Sequence, residues 1–177
     1  MIELLILGMA LAAPEPSRCK CDPARPETME VRECGLCREA EKQPPDIGVF
    51  FLKDNNPRKP NRWLALRRAH DTGMHSLVDV PLEERTRLCT AAIAKARELW
   101  GDEWGLAYNG DLVRTQCHLH IHIGKLLKGI ETRKVVVVNG PAEIPAPKDG
   151  TGLWIHAQGK RLHVHLGEQT CETVLFR

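Results

Sequence analysis

His118-Leu119-His120-Ile121-His122-Ile123 constrains this chain more than any other stretch of it. Three histidines alternate with three aliphatic residues, without interruption. Alternation is the period of a strand, so the imidazoles share one face and Leu119, Ile121 and Ile123 share the other. A strand over 116–123 is therefore predicted, with its aliphatic side packed on a core. The histidine side is left to water, a metal or a substrate. Such a row is a poor way to build ordinary surface. It is a good way to present a nucleophile with flanking donors to a phosphate.

The flanking sequence predicts what this strand packs on. Ile47–Lys53 reads as a strand, Asp54–Asn61 as an Asn- and Pro-rich turn, and Arg62–Arg67 as the hairpin partner. His75–Val80 reads as a third strand. Pro81 stands where helices accept proline, and Glu83 and Glu84 suit the positive end of a helix. Leu88, Ala92, Ala96 and Leu99 recur at helical spacing, broadened by Cys89, Ile93 and Trp100, and Gly101 ends the run. Gly105–Asn109 is a short strand before the histidine string. Beyond it, Lys134–Val138 is a β-branched run, and Leu153–His156 with Lys160–Leu166 forms a last hairpin. The predicted class is α+β: an antiparallel sheet with a helix on one face.

The chain has 177 residues, enough for one domain with extensions, and a formal net charge of +2. That charge is too small to argue for a nucleic-acid partner, and no basic run carries interleaved aromatics. Residues 1–13 hold a short apolar run with a small-residue site at Ala10-Leu11-Ala12. This predicts a signal peptide and an exported chain, although Glu3 is unusual for one. An apolar N-terminal strand or helix is the alternative. Residues 14–33 form an arm with four prolines, Cys19 and Cys21. If the chain is exported, some of its seven cysteines should pair, and an odd number leaves at least one out.

The string Arg114-Thr115-Gln116-Cys117-His118-Leu119-His120-Ile121-His122-Ile123 resembles the histidine-triad superfamily, departing from its pattern at Gly124. Trp63-Leu64-Ala65-Leu66, His75-Ser76-Leu77-Val78-Asp79-Val80-Pro81, a helix, and Tyr108-Asn109-Gly110 precede it in the order usual there. The resemblance covers roughly 34–124, with 125–177 as a C-terminal β extension of the same domain. Within the superfamily the nearest likeness is to bacterial CDP-diacylglycerol diphosphatases, in which an Asn stands before an Arg-Ser-Gln-x-His-Leu-His-Ile-His-Ile type of string.

The resemblance implies a histidine-triad fold and hydrolysis of a nucleotide-containing phosphoanhydride. It makes His120 the nucleophile and His122, about 6–7 Å along the strand, a donor to non-bridging oxygens. Asn109, Arg114 and Thr115 match substrate-binding positions. It also implies a structural zinc held by Cys34, Cys37, His75 and His118, so that His118 would serve both triad and metal. The alternative at these cysteines is a disulfide from Cys34 or Cys37 to Cys19 or Cys21. The partners implied are a nucleotide-containing small molecule or a CDP-lipid, the latter with peripheral membrane contact, and a homodimer is common among such hydrolases. Two other functions fit the same residues: a soluble nucleotide or nucleoside-phosphoramidate hydrolase, and a zinc-stabilised nucleotide-binding module without turnover. His163-Val164-His165 reads as a polar strand face with Leu162, Val164 and Leu166 inward. His70 and His156 read as loop or surface residues. Trp63, Trp100 and Trp154 read as core.

Overall fold

A computed structural model describes residues 19–69, 75–130 and 135–177. The segment 1–13 and His70 lie outside the described residues. The fold is α+β, as the periodicities predict. Two short helices, α1 (Pro26–Met29) and α2 (Gly35–Glu41), precede strands β1 (Val49–Lys53) and β2 (Trp63–Arg67). The long helix α3 (Leu82–Trp100) follows, then β3 (Trp104–Tyr108), β4 (His120–Lys125), β5 (Val135–Val138), β6 (Gly152–Gln158) and β7 (Arg161–Glu168). All seven strands join one antiparallel sheet in the order β1-β2-β4-β3-β6-β7-β5. The C-terminal region therefore extends the same sheet rather than standing apart from it.

The aliphatic side of the histidine string does what alternation demands. Leu119, Ile121 and Ile123 join Leu106, Ile155 and Val164 in the main core, under Leu88, Ala92, Ile93 and Ala96 of α3. Burying each of these side chains stabilises the fold by roughly 1.5–3 kcal/mol where burial is complete. The opposite face is covered too. Phe50, Leu64 and Leu66 pack against Ala40 of α2. Further across, Ala107 and Trp154 lie under Cys171, Val174 and Leu175 of the C-terminal tail. The histidines sit between these two covers.

Two strand expectations fail. His75–Val80 is a turn. The Ser76 amide donates to Asp79 Oδ2 at 3.0 Å, and the Asp79 amide returns to the Ser76 carbonyl at 3.0 Å. These local bonds offer the backbone an alternative to a sheet ladder. The histidine strand starts at His120, not Gln116. Gln116 is otherwise engaged: it accepts from the Leu36 amide and donates to the Arg32 carbonyl, while the Cys117 amide donates to the Glu33 carbonyl.

The N-terminal arm is bound to this point covalently as well. Disulfides join Cys19 to Cys117 and Cys21 to Cys34, across sequence separations of 98 and 13. The longer loop alone restrains the unfolded chain by about 4–5 kcal/mol in the chain-entropy picture.

Where β6 begins, the backbone of the site loop comes very close. A Cβ on Gly152 would stand 2.3 Å from the Tyr108 carbonyl oxygen and 2.8 Å from the Gly110 nitrogen. Neither backbone atom can rotate away. Gly152→Ala is expected to destabilise the protein by about 3 kcal/mol, the upper range of overpacking penalties, as a drop in the urea midpoint with little change in slope.

Candidate active site

His118, His120 and His122 are only 5, 6 and 7% exposed, so the row that alternation alone leaves to solvent is buried. The tail covers that face beside His122, and α2 lies against His118 through Cys37. His120 and His122 project from β4 with ring centroids 4.9 Å apart, edge to face. His118 precedes the strand and turns aside: its Nε2–H donates to the Arg67 carbonyl at 2.8 Å.

The tautomer of His120 is set by a neighbour, whereas His122 is only approached, on both of its ring nitrogens. His120 Nδ1–H donates to the His118 carbonyl at 2.8 Å, which leaves the Nε2 lone pair free. Asn109 approaches His122 Nε2 with its Nδ2 amide at 3.5 Å, while its Oδ1 accepts from the Glu172 amide at 2.9 Å. His122 Nδ1 faces Glu172 Oε2 at 3.8 Å. The result is a chain from Glu172 through His122 to the strand that carries His120.

Electrostatics keep both imidazoles neutral. Burial, and then the neighbouring His122, push His120 down to about 3. Burial pushes His122 down to about 4 against the pull of Glu172, with Lys59 and Arg62 adding to the fall. Burial would raise the Glu172 carboxyl, but His122, Lys59 and Arg62 together hold it at about 2. At neutral pH the site thus contains two free bases and one carboxylate.

Arg62 holds Glu172 in place. It is 2% exposed, pairs with the Glu172 carboxylate, and donates to the backbone carbonyls of Glu172, Leu175 and Phe176. Lys59 pairs with the same carboxylate. Nothing local in the sequence announces this: Glu172 lies fifty residues beyond His122, and Arg62 reads as an ordinary first residue of a strand.

Of the expected substrate-binding residues, Asn109 and Arg114 are buried and Thr115 is exposed on the same loop. Arg114 donates to Asp111 Oδ1 at 3.0 Å and lies over the Tyr108 ring, 5.3 Å from its centroid. Its Nε and Nη1 are buried without a hydrogen bond among the described residues. Its charge adds, after burial, to the fall of both His75 and His120. A cleft of about 360 Å³ lies elsewhere, on the α3 side of β1 and β2, between Ile47, Arg67, Glu84 and Arg87.

The zinc set needs correction. All four residues gather around 117–118: His75 hydrogen-bonds to the Cys117 backbone, and the His118 backbone hydrogen-bonds to Cys37. Their ligand atoms do not form a set, however. Cys34 is bonded to Cys21, and His118 Nε2 is used on Arg67. The disulfide alternative is the one the structure adopts for Cys34. Cys37 stays a buried thiol, pushed up to about 12 by burial. Among the described residues two groups bring ligand atoms close together: Cys21 with Cys34 and Cys37, of which the first two are joined as a disulfide, and His156 with His163 and His165. His156 lies on β6, half-buried, in the hairpin that the sequence predicts from Leu153 to His156.

Two measurements follow from the site. Arg62→Ala should lower the unfolding free energy by about 3–5 kcal/mol in urea titration, since it strands the Glu172 carboxylate and frees the tail. Stability should also fall as pH drops from about 6.5, where unfolded histidine begins to bind protons, towards 4 and below. The folded state refuses those protons at His120 and His122 because their values are depressed. His75, His156 and His165 are lowered in the same direction. The slope of stability against pH in that window should shrink in His120→Ala; an unchanged slope would show that His120 is not buried as the free base.

No protein-family profile matches the chain, and comparison with curated proteins finds no match.

Proposed function

We propose that this protein hydrolyses a nucleotide-containing phosphoanhydride through His120. The observation that carries the reading is the His120 ring itself: Nδ1 is committed to the His118 carbonyl and Nε2 is left unprotonated. A buried, neutral imidazole held in one tautomer is a ready nucleophile at neutral pH.

In the proposed reaction Nε2 attacks the phosphorus next to the nucleoside. The P–N bond forms as the anhydride P–O bond breaks, and the leaving group departs as a phosphate ester. Water then attacks the phosphohistidine adduct, breaking the P–N bond and releasing the nucleoside monophosphate. The unpaired N–H groups of Arg114 fit non-bridging oxygens of the substrate. His122 serves the developing charge. An arriving polyanion raises its proton affinity, Glu172 balances the imidazolium, and Nε2–H, released from the Asn109 amide, then donates to phosphate. Asn109 orients that ring.

Within this class we favour a CDP-diacylglycerol-type diphosphatase releasing a nucleoside monophosphate and a phospholipid acid. Besides the resemblance of the 109–123 string, exposed aliphatics flank the site. Val78, Leu82 and Leu112 are 51, 56 and 62% exposed. The turn bearing Val78 and the loop bearing Leu112 are tied together by Ser76 and Asp111, 3.0 Å apart. An acyl chain or membrane surface would cover such residues. Zinc as a structural ion fits only a reduced form, in which Cys21, Cys34 and Cys37 would offer thiolates.

The test is a screen of CDP-diacylglycerol, dinucleoside polyphosphates and nucleoside phosphoramidates against the purified, disulfide-bonded protein. Brief incubation with substrate labelled on the phosphate next to the nucleoside should trap an acid-labile, base-stable adduct. His120→Ala should abolish both turnover and adduct. His122→Ala should lose about 3–4 kcal/mol of transition-state stabilisation in kcat. His118→Ala should act chiefly on stability, because its side chain holds Arg67 while its backbone holds His120. Full activity in His120→Ala would overturn the assignment, and turnover of the soluble substrates alone would move the reading to the soluble hydrolases.

A further inference from the structure

A second group of imidazoles stands on the same face of the sheet as the first. His122, Ala107, Trp154 and His165 lie in one cross-strand row. His165 is therefore three strands from His122, about 14 Å at ordinary strand spacing. His163 is two residues before His165 on β7, and its direct cross-strand partner on β6 is His156. Alternation and register thus bring three imidazoles together from two strands of one hairpin.

We propose that His156, His163 and His165 form a binding site for a divalent transition-metal ion of the zinc, nickel or copper class, with a coordination position open to water. Their ligand nitrogens all lie within 4.8 Å of one another. A metal held at about 2.0–2.1 Å from each asks for nitrogens roughly 3.3 Å apart, so modest ring rotations close the set. His156 and His163 are half-buried, while His165 is buried. The group holds imidazoles only, with no carboxylate or thiolate. Such a donor set prefers zinc, copper or nickel over magnesium or calcium.

The surroundings prepare two of the rings. His156 Nδ1–H donates to the Ala157 carbonyl at 3.2 Å, leaving Nε2 as the ligand atom. Backbone carbonyls fix metal-bound imidazoles in this way. Trp154 stacks on His165 with centroids 3.6 Å apart and planes 5° apart, which holds that ring against rotation. Gly159, at φ 60°, makes the tight turn that keeps β6 and β7 in register. The proposal does not depend on the reaction assigned to His120.

Metal-stripped, disulfide-bonded protein should be titrated with zinc and nickel against a chromophoric chelator, and with copper(II) while following tryptophan fluorescence. One equivalent should bind. Copper should quench the Trp154 contribution, and the quenching should vanish in Trp154→Phe. His163→Gln and His156→Gln should each weaken binding by more than about tenfold, the scale that even outer-sphere changes reach. Their metal-free melting temperatures should match the wild type, because both rings are half exposed. His120→Ala and Cys37→Ser should bind normally. Unchanged affinity in both hairpin variants would overturn the proposal, as would loss of the metal in Cys37→Ser, which would place it at the sulfur cluster.

Discussion

The buried guanidinium of Arg62 is the contact on which the site depends. One side chain immediately before β2 donates to three carbonyls of the C-terminal tail and pairs with Glu172. Burying a charge is costly unless every donor finds a partner, so this cluster is stable only when the tail is in place. The tail then has two consequences. Leu175 is laid over Gly105 and Gly124, where a Cβ would stand 2.7 Å from Leu175 Cδ2 and 3.2 Å from its Cβ. Glu172 is carried to His122. The absence of a side chain at Gly124 thus has a packing reason: it makes room for the tail.

Because the tail seals that face, the imidazoles work in a medium unlike water. Desolvation keeps His120 and His122 neutral, and the same desolvation strengthens each remaining dipole and charge around them. Glu172 cannot act as an isolated base, since Lys59 and Arg62 already neutralise it. Its influence on His122 is therefore small until His122 takes up a proton. The two histidines consequently differ in kind. His120 is fixed as a free base by a carbonyl, whereas His122 faces a carboxylate that favours its charged form.

The sequence pattern reveals those parts that local periodicity controls. Helix α3 runs from Leu82 to Trp100, as the spacing of Leu88, Ala92 and Ala96 requires, and Gly101 ends it. The aliphatic side of the histidine string lies in the core, and the β6–β7 hairpin forms about Gln158-Gly159. What escapes the pattern is decided by long-range partners. One exception is local: Ser76 and Asp79, three residues apart, turn a strand-like stretch into a turn, although its residue types suit a strand. Trp154 is buried as expected, but against His165 on the histidine face rather than under α3. Glu172 and Arg62 meet across a separation of 110 residues, and no periodicity spans that distance.

The cysteines show why the metal set could not be chosen from spacing. Cys34 and Cys37 are one helical turn apart and sit together in either outcome. What decides between a thiolate pair and a disulfide is whether another sulfur reaches them, and α1 brings Cys21 to Cys34. The Cys19–Cys117 bridge then fixes the residue immediately before His118. His118 is held three times over: by that bridge, by its ring on the Arg67 carbonyl, and by its backbone against Cys37. Its own carbonyl is the group that orients His120. The first histidine of the string is thus steadied by covalent and hydrogen-bonded contacts, and the placement of His120 follows from them.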